Sequence, residues 1–437
     1  MGHRARVIGG GFGPIGASMP GIPQMHRPDL IEMQHPRPNF RFKVHPLSFR
    51  FGSTNMATRS PAPKHKLSKL DHEHIVLVLQ GGGALGAYQA GVYEEIAKLP
   101  REPNWVAGVS IGAINAALIV GNPPKNRVER LREFWDLVSS GSGGIPPWWD
   151  GQRSALHQFN ALIAASAGVP GFYEPRIPPP FLQLEGTPDA ISFYDTAPLR
   201  ETLERLVDFE LINTRKVRLS VGAVNVLTGN SVYFDNQHQI IGPEHIMASG
   251  ALPPAFAPVM IEGESYWDGG IVSNTPLQYV LDQRVAAKIL IAQIDLFSAR
   301  GSMPANIAGV MSRHKDIMYS SRARFNTDKL AQIQRNKRTM LNLIANLPPQ
   351  LRDSPGVKEL AAANQTAHID IVHLIYRQNR FEVESKDYEF SRDSVLEHWA
   401  AGQRDMRRTF EHPDLLTKSN VDDGVTVYDL AHDPHNI

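Results

Sequence analysis

Residues 75–121 read IVLVLQGGGALGAYQAGVYEEIAKLPREPNWVAGVSIGAINAALIVG and hold two strand–turn–helix units in succession. In the first, residues 75–79 are short, apolar and β-branched, as a buried parallel strand requires. Gln80 and the glycines Gly81, Gly82 and Gly83 turn the chain into a helix with Leu85, Tyr88, Val92, Ile96 and Leu99 at helical spacing, stopped by Pro100. In the second, residues 105–109 form a strand, and Ser110 sits at its end inside Gly108-Val109-Ser110-Ile111-Gly112. A helix follows through Ile114 and Leu118 and closes at Gly121, Asn122, Pro123 and Pro124.

The second unit is G-x-S-x-G in the context that gives the pattern meaning, a serine on a sharp strand-to-helix turn. The flanking glycines let neighbouring backbone approach closely, and the new helix aims its positive end at the serine. Such a serine is placed to attack an acyl carbon. The bare pattern also arises by chance in glycine-rich α/β proteins, so the first unit matters. Acyl transfer passes through an oxyanion that needs pre-aimed backbone N–H donors, and successive glycines after a strand supply them without side chains in the way. Gly81, Gly83 and Gly86 also fit G-x-G-x-x-G, the dinucleotide fingerprint, but the next strand ends in Ser110 where that fingerprint places an acid. A phosphate-binding P-loop needs Lys and Ser/Thr after Gly86, where this chain has Ala87 and Tyr88.

Gly81-Gly82-Gly83-Ala84-Leu85-Gly86 followed by Gly108-Val109-Ser110-Ile111-Gly112 resembles the first two signature blocks of the patatin-like phospholipases. That family uses a serine–aspartate dyad, and a matching third block stands at Trp267-Asp268-Gly269-Gly270, after the small-residue and proline segment of residues 248–254. The likeness covers residues 75–297. It implies a three-layer α/β/α fold with a mainly parallel sheet, Ser110 as nucleophile and Asp268 as the base. It further implies that Gly81, Gly82 and Gly83 donate to the oxyanion, that Gly86 permits the tight turn, and that Gly269 and Gly270 let the Asp268 loop approach. Many members carry Arg or Lys where this chain has Leu85, which leaves backbone donors as the whole of the oxyanion argument. The segment RFEVESKDYEFSRDSVLEHWAAGQ at residues 380–403 resembles a C-terminal extension found in one bacterial branch of the family.

A chain of 437 residues, 42% hydrophobic and 20% charged, is that of a globular protein of one large domain with extensions. Its net charge of +1 points to no nucleic-acid partner. It has no cysteine, so disulfides and thiolate metal sites are excluded, which suits a reducing compartment such as the cytoplasm. No apolar run approaches the roughly 18 residues of a membrane span. With no H-E-x-x-H or comparable ligand spacing, neither metal nor other cofactor is expected.

Residues 1–70 carry eleven Lys or Arg against Asp29 and Glu32, with many prolines, and read as a disordered leader. An over-extended start with Met56 as first residue is the alternative. The catalytic domain is assigned to residues 71–300. Within it, residues 141–194 break the periodicity with Pro146-Pro147-Trp148-Trp149, Phe172-Tyr173 and Pro178-Pro179-Pro180-Phe181, and read as an irregular aromatic cap that shapes an acyl pocket or touches a lipid surface. Plain packing of these aromatics onto the core weighs equally. Residues 217–226 and 231–234 read as a hairpin, residues 259–266 as a second, and residues 289–296 as the last parallel strand. From Met303 onward the pattern is helical to the end, forming an extension over residues 301–437. Eight Lys or Arg against two acids between residues 311 and 340 give a solvated helix face or a surface for anionic head groups.

The expected activity is a serine acyl hydrolase on a lipid ester, at a peripheral membrane surface. Its rivals are an esterase or acyltransferase on another acyl donor, and a lipid-binding protein without turnover. A Ser–Asp–His triad would draw on His314, His368, His373 or His398, none of which is expected in a loop after a strand.

Overall fold

The computed structural model describes residues 72–139, 150–283, 288–321, 323–366, 368–377, 384–412, 415–416 and 424–429. The basic leader, the Met56 start and the Pro146–Trp149 cluster lie outside the described residues.

The chain enters through β1 (His74–Leu79), turns at the glycines into α1 (Gly86–Ile96), and runs through β2 (Trp105–Val109) and α2 (Ile111–Val120) to α3 (Arg127–Val138). The first helix ends before Pro100, although Leu99 still packs on the core. Next comes α4 (Asp150–Ala167), then a two-residue ladder of β3 (Glu174–Pro175) with β4 (Tyr194–Asp195), then α5 (Ala197–Leu206). The hairpin of β5 (Arg218–Asn225) and β6 (Ser231–Asp235) leads to α6 (Pro243–Ser249), the second hairpin of β7 (Val259–Ile261) and β8 (Glu264–Asp268), and β9 (Lys288–Asp295). The C-terminal part holds α7 (Ile307–Tyr319), α8 (Ala323–Ala345), β10 (His368–Ile375), α9 (Arg392–Glu411) and β11 (Val425–Tyr428).

One nine-stranded sheet is ordered β11-β10-β9-β1-β2-β5-β8-β7, with β6 also paired to β5. The strands from β11 to β5 are parallel; β6, β7 and β8 are antiparallel additions. Side chains of β1 alternate between two apolar layers, Leu77 and Leu79 in one and Val76 and Val78 in the other. The first layer is covered by α1, α2, α3 and α9; the second by Leu277, Val280 and Leu330 from helices on the opposite face. This is the expected three-layer α/β/α architecture, with the sites at the carboxyl edge of the sheet.

Two expectations are corrected. Residues 289–296 are not the last parallel strand, because β10 and β11 extend the sheet beyond β9. In β10 the sequence HIDIVHLI buries polar residues where an apolar run signals a strand: Asp370 pairs with His72 at 2.8 Å, and His373 with Asp295 at 2.6 Å. His368 and His373 therefore lie on a strand, not in helical or irregular sequence. The 141–194 insertion is also less irregular than expected, since α4 fills residues 150–167. Gly168, at φ 85°, ends it.

Candidate active site

β1 and β2 are neighbours, so the turns at their carboxyl ends, Gln80–Gly83 and Ser110, are brought side by side. Ser110 adopts φ 56° and ψ −127°, a conformation that an L-residue holds only where its surroundings enforce it. The enforcement is visible. A Cβ on Gly112 would collide with the Leu79 carbonyl, and one on Gly108 with the Gly112 carbonyl, so only glycines allow β1, the elbow and α2 to pack this closely. The Ser110 N–H donates to Ser249 Oγ at 2.9 Å, and Ser249 Oγ donates to the Gly222 carbonyl at 2.6 Å. Ser249 is fully buried at the end of α6 and ties the elbow to β5.

The second carboxyl-edge group arrives from the antiparallel side. β8 pairs with β5, with Asp268, its last residue, opposite Ala223. The Ser110 side chain lies near enough to the Asp268 carboxylate to favour its ionised form, and the Gly270 N–H donates to Asp268 Oδ1 at 2.7 Å. Asp268 is 2% exposed. Burial pushes its carboxyl up from the ordinary range to about 7, against the pull of the Ser110 side chain and the Gly270 hydrogen bond. A carboxylate in that range is a far better match to a serine proton than one near 4. Gly269 fits against the Gly222 carbonyl, and Gly270 lies beside Asn274 and Asp268. The two predicted site residues are thus side by side.

The glycine loop faces the same point. Gly81 abuts the Ser110 Cβ, but its N–H is committed to the Asn274 carbonyl at 3.1 Å. Gly86 is committed too, donating into the turn at Gly83 and Ala84. The N–H groups of Gly82, Gly83 and, just after the serine, Ile111 donate to nothing among the described residues. Of the four glycines expected around an oxyanion, Gly82 and Gly83 keep free donors, while Gly81 and Gly86 shape the loop.

Residues that sequence reasoning passed over hold the loop in place. Gln80 is wholly buried: its Nε2 donates to Thr275 Oγ1 at 2.8 Å and to the Tyr319 carbonyl at 3.0 Å, and its Oε1 accepts from Leu296 N and Phe297 N at 2.6 and 2.9 Å. Asn274 Nδ2 donates to the Gly81 and Tyr319 carbonyls at 3.0 and 3.1 Å. Asn115 Nδ2 donates to the Gly86 carbonyl at 3.0 Å while its Oδ1 accepts from Trp135 Nε1 at 3.1 Å. Buried polar side chains survive only with partners, so each is a fixed strut. A Gln at the exit of β1 and an Asn after the Asp268 block were the available signals.

The four histidines considered for a triad lie elsewhere. His373 bonds Asp295, His368 faces Asp370 at 3.3 Å, His398 packs edge-on against Tyr376, and His314 lies on α7. None has a hydrogen bond to Ser110 or Asp268 among the described residues. No group of His, Cys, Asp or Glu side chains suited to a metal occurs among those residues either.

The fold and site define an α/β protein with a strained serine elbow, a buried aspartate beside the serine, and a glycine loop whose Gly82 and Gly83 N–H groups have no acceptor among the described residues. The family model described as "Patatin-like phospholipase" matches residues 77–281, and one described as "Patatin phospholipase" matches residues 317–422. The chain belongs to the patatin-like phospholipase family. A "cGAMP-activated phospholipase" of Vibrio cholerae is 26% identical over 228 residues, 47% of this chain and 58% of that protein; the chain thus spans less than two thirds of this relative's length. The crystal structure of VipD from Legionella pneumophila aligns with 82% of this chain and 72% of its own at 17% identity, with a TM-score of 0.30.

Proposed function

We propose that this chain is a serine lipid acyl hydrolase working through a Ser110–Asp268 dyad. The observation that carries the reading is the Asp268 carboxylate, buried, raised to about 7 and placed beside a serine on a strained elbow. Asp268 accepts the Ser110 hydroxyl proton as Oγ bonds to the ester carbonyl carbon, and the oxyanion forms against the N–H groups of Gly82 and Gly83. Collapse returns the proton to the leaving alcohol and leaves an acyl-Ser110. Water, deprotonated by Asp268, then releases the carboxylic acid and restores the serine. The N-terminus of α2 favours negative charge on Oγ and on the oxyanion.

The substrate class rests on family membership and on the phospholipase named as a relative. Exposed Phe181, Leu182, Leu184 and Phe193 on the insertion, with Ile271 and Val272 beside the Asp268 block, give the protein an apolar surface suited to contact with a lipid interface. The test is hydrolysis of p-nitrophenyl esters and lysophospholipids by the wild type and Ser110→Ala, both checked for folding. Activity that depends on Ser110 and rises above the substrate's aggregation threshold is expected. Turnover of soluble esters with no gain at an interface would move the protein to the esterase or acyltransferase reading, and folded wild type without turnover to the lipid-binding one.

A further inference from the structure

The C-terminal part places a short strap, Glu384–Asp387, against the oxyanion loop, α4 and α7 at once. Gly83, at φ 55°, has no room for a Cβ because the Asp387 carbonyl occupies that space. Two ion pairs hold the strap to α7: Lys386 Nζ to Asp316 Oδ1 at 2.6 Å, with Lys386 5% exposed, and Lys315 Nζ to Asp387 Oδ1 at 2.9 Å. Just beyond it, Phe390 stacks on Trp135 and packs edge-on against Phe172. The strap is therefore held by α7 and, through Phe390, by Trp135 and Phe172.

Between strap, α4 and α7 runs a groove of about 310 Å³, walled by Gln158, Ala161, Leu162 and Ala165 of α4, Ala308 of α7, and Ser385 and Tyr388. Small and apolar residues from two helices leave a slot for a slender apolar ligand. One end of α7 belongs to the catalytic site, because the Tyr319 carbonyl accepts from Gln80 and Asn274. Ala308 lies eleven residues earlier, roughly 16 Å along the helix. At the groove's other wall, Ser385 stands two residues before Asp387, whose carbonyl lies against Gly83, so the slot adjoins the glycine loop and reaches along α7 to Ala308. The same two helices carry exposed Phe159 and Ile163 on α4 and Ile307, Val310 and Met311 on α7.

We infer that this groove, completed by the C-terminal strap, is the binding site for the distal part of a long acyl chain. This rests on the hydrolase reading and names where its selectivity comes from. An ester too short to reach the groove gains nothing from it; each methylene buried there adds binding energy that the enzyme can use in the transition state.

Two measurements on the full chain test it. The first compares kcat/KM for p-nitrophenyl palmitate and p-nitrophenyl butyrate in the wild type, Ala165→Phe and Ala308→Phe, where the added ring fills the slot from either wall. The palmitate-to-butyrate ratio is expected to fall about tenfold or more in both variants. The second follows the fluorescence of bound cis-parinaric acid, which needs no turnover, and its affinity is expected to fall in parallel. Variants that keep both the wild-type ratio and the wild-type affinity overturn the groove. A wild type that hydrolyses no ester overturns the hydrolase reading alone, while weaker fatty-acid binding in the variants still supports the groove.

Discussion

Residues 74–297 and residues 303–428 are both mixtures of strand and helix in one sheet, but they contribute differently to the site. In the proposed mechanism the first region supplies the reacting groups from turns at strand ends: the loop after β1, the elbow after β2, and Asp268 at the end of β8. In that mechanism the second supplies none among its described residues, and yet its strap lies against the glycine loop. β10 lies beside β9, α9 lies on α1, and the strap lies on Gly83. Between α1 and α9 the backbones come so close that a Cβ on Gly91 would strike the Trp399 carbonyl and one on Gly402 the Tyr88 carbonyl. Tyr88, Glu94 and Glu95 of α1 are hydrogen-bonded to Asp405, Trp399 and Arg407 of α9. The elements that carry the proposed chemistry are thus packed directly against the C-terminal region.

The sharpest separation of the two regions comes from the reacting pair. Ser110→Ala and Asp268→Asn should each lower kcat/KM by about a thousandfold or more with the fold intact, and the double variant should be no worse than the worse single one. Additive losses would mean that the two residues do not act together. Next in size, Gly402→Val should destabilise the protein by about 3 kcal/mol, read from urea unfolding, because the side chain meets backbone that cannot move aside. A wild-type midpoint for this variant would show that α9 is not held tightly on α1.

The two groups of residues also differed in how readily the sequence showed them. The glycine block, the serine elbow and Asp268 sit at turns, where residue type is dictated by backbone geometry, so short motifs reveal them. Support comes instead from pairings distant in sequence. Ser249 acts on Ser110, Gln80 on Leu296 and Phe297, and His373 on Asp295, and no local pattern encodes such partners. Strand β10 stayed hidden for that reason, since Asp370 and His373 look like surface residues until His72 and Asp295 are seen beside them. Secondary structure in the first region was legible because β1 and β2 are continuous apolar runs and turn residues set off the hairpins of β5 to β8. The commitment of the Gly81 N–H to Asn274 was not, because loop hydrogen bonds leave no trace in composition.

Support residues should give smaller effects of a different kind. Ser249→Ala leaves the Ser110 N–H without its acceptor and should cost about 1–3 kcal/mol of stability, with a drop in kcat and little change in KM. A change confined to KM would place Ser249 in binding and not in holding the elbow.

Two pH effects follow from Asp268. Only its ionised form accepts the serine proton, so kcat/KM should fall as pH drops through about 7. The same raised carboxyl means that the folded protein holds this proton more tightly than the unfolded chain. Its stability cost therefore grows as pH rises from the ordinary carboxyl range to about 7 and is complete above that. Asp268→Asn should consequently be more stable than wild type at pH 8, by about a few kcal/mol at most, and lose that advantage near pH 4. Equal unfolding midpoints at both pH values would show that the carboxylate is not desolvated as described.

The most direct test of the dyad is the rate and position of labelling by a fluorophosphonate, a reagent that captures an activated serine, followed by intact mass and peptide mapping. A single adduct on Ser110, absent in Ser110→Ala and formed at least about a hundredfold more slowly in Asp268→Asn, is the predicted result. Labelling of another serine, or of Ser110 at the wild-type rate in folded Asp268→Asn, would contradict it.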